Sequence, residues 1–337
     1  MMHILACLFL FIVLASVEHG RARTIAPPYE VATWPGFRRA AVSYTFDDGT
    51  PKQLPVAIPI FNEYGYQVTL FAVTGWVSNW GELTTAAAQG HEIGSHTVDH
   101  LRLDGLSPTD ERYQYELSRD TIAFHCPQQQ VLTIAYPYCR SGNESLCSRY
   151  YIAGRNCAAA IVPPTPTNFH EINSYSCGSS GSVKNTADFI SLFTSARSAG
   201  GWLVLLVHGI DNDGGYSPLS SRILKESVQY LADNSDTFWV ETFGNVVRYI
   251  KERDDLSVAE TSVKATTVTV QVTGTLDSTI YAYPVTLRRP LPAGWSNATV
   301  TQNGYEVPSS IVTINSVGYV MFAAVPDGGE VIIAAAG

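Results

Sequence analysis

Positive charge is scarce in this chain: 21 lysines and arginines stand against 30 acidic residues among 337, a formal net charge of −9. That balance removes nucleic acid and anionic membrane surfaces from the candidate partners, because binding to phosphate needs an excess of basic side chains. Charged residues of both signs make up only 15% of the chain, against 45% hydrophobic. So little charge excludes disorder and leaves ample apolar material for a large core. No G-x-G-x-x-G or Walker sequence follows any candidate strand, so a dinucleotide or nucleoside triphosphate has no cradle. Histidine is sparse as well, and three of the eight fall in one stretch, HEIGSHTVDH (91–100).

What is present divides into three parts. The apolar run Ile4–Val17 (ILACLFLFIVLASV) is short for a bilayer span and suits the core of a secretory signal, with cleavage after Gly20-Arg21-Ala22. An uncleaved anchor is the alternative. Residues 1–22 are therefore expected to be a leader, the mature protein to be secreted, without a membrane span, and a monomer. Five cysteines lie beyond the leader, all between Cys126 and Cys177. In an oxidising compartment two bridges and one free thiol are expected, Cys139–Cys147 among the possible pairings.

From Arg39 to Arg253 short apolar runs alternate with amphipathic stretches. Seven candidate strands are AAVSYTF (40–46), QVTLFAV (67–73), HEIGS (91–95), VLTIAY (131–136), CAAAI (157–161), WLVLLVH (202–208) and TFWVE (237–241). Helical signals fill the gaps, including Ser107-Pro108-Thr109-Asp110, with a capping serine, proline in the first turn and an acid at the third position. This alternation predicts an α/β fold with a mostly parallel sheet, as a barrel or as an open doubly wound sheet, its chemistry at the carboxyl ends of the strands. After Asp255 the pattern changes to short Val- and Thr-rich runs broken by Gly, Pro and Asn. Residues 23–255 thus read as one domain and 256–337 as a small all-β, sandwich-like domain. Its aromatic residues Tyr281, Tyr283, Trp295 and Tyr305 suit either core packing or a sugar-stacking face.

The i, i+4 pair His96 and His100 is a weak signal alone: such spacing makes a metal clasp or merely a polar corner. Other strand ends decide between them. AVSYTF runs directly into Asp47-Asp48-Gly49, and neighbouring residues on a strand point opposite ways, so the two acids can take separate roles. His96 ends another strand, and a helical continuation would put His100 on the same face. Two imidazoles and one carboxylate make a donor set for Zn²⁺, Co²⁺ or another divalent ion, with positions left for water and substrate. VLLVHG brings His208 to the same rim. Pieces from several strand ends converge, which favours the clasp. His91 opens its strand, away from that rim, and reads as structural. His170 lies in a Pro-rich loop (163–170) that could cover the cleft.

TFDDG (45–49), HTVDH (96–100) and LVH (206–208), in that order, resemble the motifs of the NodB-homology polysaccharide deacetylases of carbohydrate esterase family four. The resemblance spans residues 40 to 250. It implies a distorted (β/α)₇ barrel and metal-dependent removal of acetyl groups from an acetylated polysaccharide such as chitin or peptidoglycan, or from acetylxylan. By position it implies Asp48, His96 and His100 as ligands of one divalent ion, Asp47 as general base and His208 as general acid. Leu206 matches the wall of the acetyl pocket, and the backbone N–H of Tyr138 matches the oxyanion donor. One motif departs. Where the family carries an arginine ahead of Pro-Tyr, this chain reads Ile134-Ala135-Tyr136-Pro137-Tyr138. Of the arginines that follow, Arg155 precedes a strand and is best placed to supply the lost charge. A non-catalytic glycan-binding module is the reading from a different class.

Overall fold

A computed structural model describes residues 23–336; the leader expected over 1–22 lies outside the described residues. A short strand, β1 (Glu30–Val31), leads into β2 (Ala40–Asp47) at the centre of the main sheet. Around β2 stand β3 (Thr69–Ala72), β4 (Glu92–Ser95), β5 (Thr133–Ala135), β6 (Ala153–Arg155), β7 (Tyr175–Ser176), β8 (Trp202–Val207) and β9 (Phe238–Val240). Their order is β6-β5-β4-β3-β2-β8-β7, and β9 pairs with the start of β2. All these pairings are parallel. A parallel bridge between Arg155 and Ile172 draws the sheet's two ends together. The fold is the distorted (β/α)₇ barrel rather than an open sheet.

Residue size along β2 follows the curl. Val42, Tyr44 and Phe46 face outward and join the apolar layer beneath the helices. Between them stand the small or polar Ala41, Ser43 and Thr45, all fully buried, and then Asp47. Small side chains there make room for Trp202, whose Nε1–H donates to Ser43 Oγ at 3.0 Å.

Helices α1 (Ile58–Asn62), α2 (Trp80–Ala88), α3 (Pro108–His125), α4 (Glu144–Cys147), α5 (Thr186–Ala199), α6 (Ser221–Asp233) and α7 (Phe243–Asp255) connect the strands. Ser107 Oγ accepts from Asp110 N–H to start α3, and Asn185 with Asp188 forms a full capping box on α5. The face of α6 follows the helical period, with Leu224, Val228 and Leu231 buried at about 1.5–3 kcal/mol each. Among the described residues no helix is long and apolar enough to cross a membrane.

One predicted strand is displaced. CAAAI (157–161) forms no strand; the ladder is made by Ala153-Gly154-Arg155 just before it. A buried arginine breaks the apolar pattern by which a strand is recognised, so the alanine run just after it reads as the strand instead.

The remaining strands are β10 (Ser257–Val263), β11 (Thr267–Thr273), β12 (Val285–Pro290), β13 (Ala298–Gln302), β14 (Tyr305–Glu306), β15 (Ser309–Ile314), β16 (Val317–Ala324) and β17 (Val331–Ala335). Together with β1 they form two antiparallel sheets, β1-β12-β16-β15 and β10-β11-β17-β13-β14, stacked as a small sandwich. No linker separates this module from the barrel. The charged stretch Lys251–Asp255 is the last turn of α7, with Arg253 buried and donating to Thr33 O, Pro164 O and Thr165 Oγ1. A single apolar cluster runs from Phe71 and Trp202 inside the barrel through Phe243, Val247 and Ile250 of α7 to Val268, Leu287 and Phe322 of the sandwich. The first turn of α7 closes the strand-start end of the barrel. Gly244 N–H donates to Glu92 Oε2 and Phe243 N–H to Thr69 Oγ1, both at 2.8 Å, so a carboxylate sits on a helix N-terminus.

Candidate active site

Loops at the carboxyl ends of β2, β4 and β8 build the centre, and their backbones are unusual. Asp48 (φ +71°), Thr97 (φ +67°) and His100 (φ +57°) are non-glycine residues in the left-handed region, a cost on the order of 1–3 kcal/mol each. Specific hydrogen bonds hold the 96–100 turn. Val98 and Asp99 N–H both donate to Gln114 Oε1 at 3.0 Å, Gln114 Nε2 donates to Asp99 Oδ2, and His100 N–H donates to Thr97 Oγ1. The expected helix here is therefore corrected: His96 and His100 converge because a turn is pinned by Gln114 of α3. Their rings meet edge to face at 4.8 Å.

Asp48 Oδ1 lies 3.5 Å from Nε2 of His96 and 3.5 Å from Nε2 of His100. The three residues offer ligand atoms within 4.8 Å of one another. His96 Nδ1 lies 2.8 Å from the Ala135 carbonyl, which can only accept, so Nδ1 carries the proton and Nε2 turns its lone pair toward Asp48. Asp48 Oδ1 is buried without a hydrogen-bond partner. An orphaned carboxylate oxygen beside two imidazole nitrogens is a donor set that fits a divalent cation. Burial raises the Asp48 pKa, but the neighbouring His96, followed by His208 and His100, outweighs it and the net shift is down. Burial lowers His96, yet the charges of Asp47 and Asp48 bring it above its usual value. Burial, then the charge of His96, holds His100 below its usual value.

Asp47 is placed differently. Its Oδ2 accepts from Arg155 Nη2 at 2.5 Å and lies 3.6 Å from His96 Nε2, while Oδ1 is buried with no hydrogen-bond partner. Arg155 ends β6, is 2% exposed, lies over the Phe71 ring at 5.4 Å and reaches Ser174 Oγ at 3.4 Å. His208 Nε2 stands 4.0 Å from Asp47 Oδ2, and its buried Nδ1 has no partner. Burial is the main influence on His208 and lowers its pKa against the opposing charges of Asp47 and Asp48. Tyr138 and Leu206 line the same cavity of about 710 Å³, with Tyr216, Ser180 and Ser182. Every residue singled out by motif thus faces one cavity.

Other residues around the centre were missed. Gln53, fully buried, donates through Nε2 to both Asp47 O and His208 O and ties the ends of β2 and β8 together. Neither Gln53 nor Gln114 belongs to a motif, and a glutamine among loop or helix residues gives no signal. Tyr216 packs edge-on against His208 at 5.1 Å, and an aromatic in the Gly-rich stretch DGGYS was the available hint.

Two further expectations are corrected. Among the described cysteines the bridge is Cys139–Cys157, and Cys126, Cys147 and Cys177 are buried free thiols. Cys147 cannot reach Cys139 because it faces inward from α4, 3.4 Å from Tyr136 Oη. The Pro-rich loop does not cover the cleft, since Pro164 and Thr165 bind Arg253 beneath the barrel. His170 there sits 3.0 Å from Tyr151 O, His125 stacks on Trp80, and His91 bonds Val68 N–H and Asn62; none lines the cavity.

Residues 36–150 match the family described as polysaccharide deacetylase. A gellan lyase from a Bacillus species is 30% identical over 94% of this chain and 13% of its own length. A chitooligosaccharide deacetylase from Sinorhizobium fredii is 30% identical over 29% of this chain and 46% of its own. The chain therefore spans less than half the length of either relative. In three dimensions a putative polysaccharide deacetylase from Mycobacterium smegmatis shares the fold, with a TM-score of 0.51 and 16% identity over 72% of this chain and 99% of that one.

Proposed function

We propose that this chain, which carries a NodB-homology polysaccharide deacetylase domain, hydrolyses N-acetyl groups of a GlcNAc-containing glycan in a metal-dependent reaction. The observation that carries the reading is the division of labour between the two adjacent acids. Asp48 turns an unsatisfied oxygen to His96 and His100, while Asp47 turns one oxygen to Arg155 and leaves the other bare.

Asp48, His96 and His100 would hold the divalent ion, Zn²⁺ by ligand preference. When bound, such an ion polarises an acetyl carbonyl and acidifies water. Asp47 Oδ1, free of hydrogen bonds, accepts a proton from attacking water while Arg155 fixes the carboxylate through Oδ2. Tyr138 N–H is left out of its own turn, whose hydrogen bonds come from Cys139 and Arg140, and so is available to a developing oxyanion. His208, within 4.0 Å of Asp47, is placed to take up the proton Asp47 has accepted and pass it to the departing amine, which leaves poorly without one. Leu206 supplies an apolar wall for the acetyl methyl. Secretion belongs to the same reading and is supported by the run Ile4–Val17 and by a disulfide.

Acetate release from chitin oligomers and from acetylated xylan, with and without a chelator, tests this. Chelator-sensitive release from chitin oligomers is expected. Release from xylan alone would reassign the substrate to O-acetyl esters, and no release from either would leave a glycan-binding protein.

A further inference from the structure

The cation facing Asp47 comes from β6, whereas the Pro-Tyr turn follows β5, so two separate chain segments must be kept in register at the rim. Their ladder stops short of it. Ala135 pairs with Arg155, and Tyr136 N–H to Arg155 O is the last backbone bond between the two segments. Beyond that point the segments part, and Asn156 N–H turns away to Ile172 O. The turn itself is under strain, since Tyr138 (φ +54°) and Cys139 (φ +59°) are consecutive non-glycine residues in the left-handed region. Where the ladder ends, the Cys139–Cys157 bridge begins. It ties the residue after Tyr138 to the residue two beyond Arg155, with Cα atoms 5.5 Å apart, and both cysteines line the cavity.

We propose that the Cys139–Cys157 disulfide is a positioning device for the deacetylation: it fixes the Tyr138 turn against the strand end that delivers Arg155 to Asp47. The inference rests on the deacetylase reading for its link to turnover, but its structural content stands alone. A bridge of this kind is needed here because the arginine no longer shares a segment with the turn. Neither cysteine touches substrate; both act through their neighbours.

The test is the double variant Cys139→Ser with Cys157→Ser, compared with the oxidised protein. We expect kcat to fall about ten- to a hundredfold with KM little changed, because small misplacements at a reacting centre cost that much. Bound metal should stay at one equivalent, and amide exchange should quicken at 136–140 and 154–158 but not in α5 or α6. In an Arg155→Ala background removal of the bridge should cost much less, since residues acting through one another are not additive. Unchanged exchange at both segments, wild-type kcat, or a fully additive loss in the Arg155→Ala background would each overturn the proposal. If the double variant does not fold, reduction of the wild type with a phosphine and its reoxidation give the same readouts reversibly. An oxidised wild type that releases no acetate would sink the deacetylase reading, and amide exchange would still decide the positioning claim.

Discussion

Replacing Arg155 by alanine leaves Asp47 buried without its partner, and the outcome can be worked through in advance. The guanidinium and carboxylate meet at 2.5 Å with side-chain exposures of 2% and 4%. At an effective dielectric near 20 their attraction is about 7 kcal/mol, most of it offset by what both groups give up in leaving water. Breaking such a pair from one side costs about 3–5 kcal/mol. In the metal-free protein we expect that loss in full in urea or thermal unfolding. With the divalent ion bound the loss should shrink, because a second cation then faces the same carboxylates. Turnover should fall by at least about a hundredfold, the kinetic equivalent of roughly 3 kcal/mol. Metal affinity should hold or rise, because a competing positive charge has gone. That sign distinguishes Arg155 from the ligands. An Arg155→Ala protein that loses its metal, or that keeps wild-type turnover and stability, would refute the reasoning, and Arg155 would then be only part of the barrel's filling.

His96→Ala should lose both tight metal binding and activity, as two remaining ligands hold the ion poorly; stoichiometric metal after dialysis would show the site is elsewhere. Asp47→Asn should retain the metal and lose turnover by orders of magnitude, since an amide cannot accept the proton, and metal loss in this variant would make Asp47 a ligand. Burial depresses the pKa of His91 to about 4, and its Nδ1 accepts from Val68 N–H. The unfolded chain therefore binds a proton that the folded one refuses, so stability falls as pH drops from about 6.5 to about 4, by up to roughly 3 kcal/mol; denaturant titrations of His91→Gln should be flatter across that window, and identical slopes would clear His91. We further propose that the division at Asp255 separates two architectures sharing one core, so residues 23–255 alone should be insoluble with the apolar face of α7 uncovered. A soluble, active 23–255 would show that the barrel stands alone.

Much of the centre was legible because its chemistry is local: TFDDG, HTVDH and LVH each place their key residues at the end of a strand. The barrel was legible because apolar runs and amphipathic helices alternate. Less legible was whatever depends on contacts between distant segments. Arg155 could be ranked above its neighbours, but the strand it ends was misplaced by its own charge. The 96–100 turn reads as helical by spacing, and only Gln114 on another element makes it a turn. Cysteine pairing is a matter of which side chains face the rim, and Cys147 faces the core instead. The continuity of the core past Asp255 was hidden because each half satisfies its own periodicity.

The seating of the sandwich under the strand-start end of the barrel has a consequence for how the molecule could work on a solid. β2 spans eight residues, about 26 Å of tilted strand, so floor and mouth are roughly 20 Å apart. A fibre gripped by the outer strands of the sandwich would lie behind the barrel, with the mouth opening away from it. Such an anchor would hold the mouth out toward a neighbouring strand of the meshwork rather than onto the strand it grips. Avidity on one polymer chain would then require that chain to bend round the barrel, whereas a second chain across the gap faces the mouth directly.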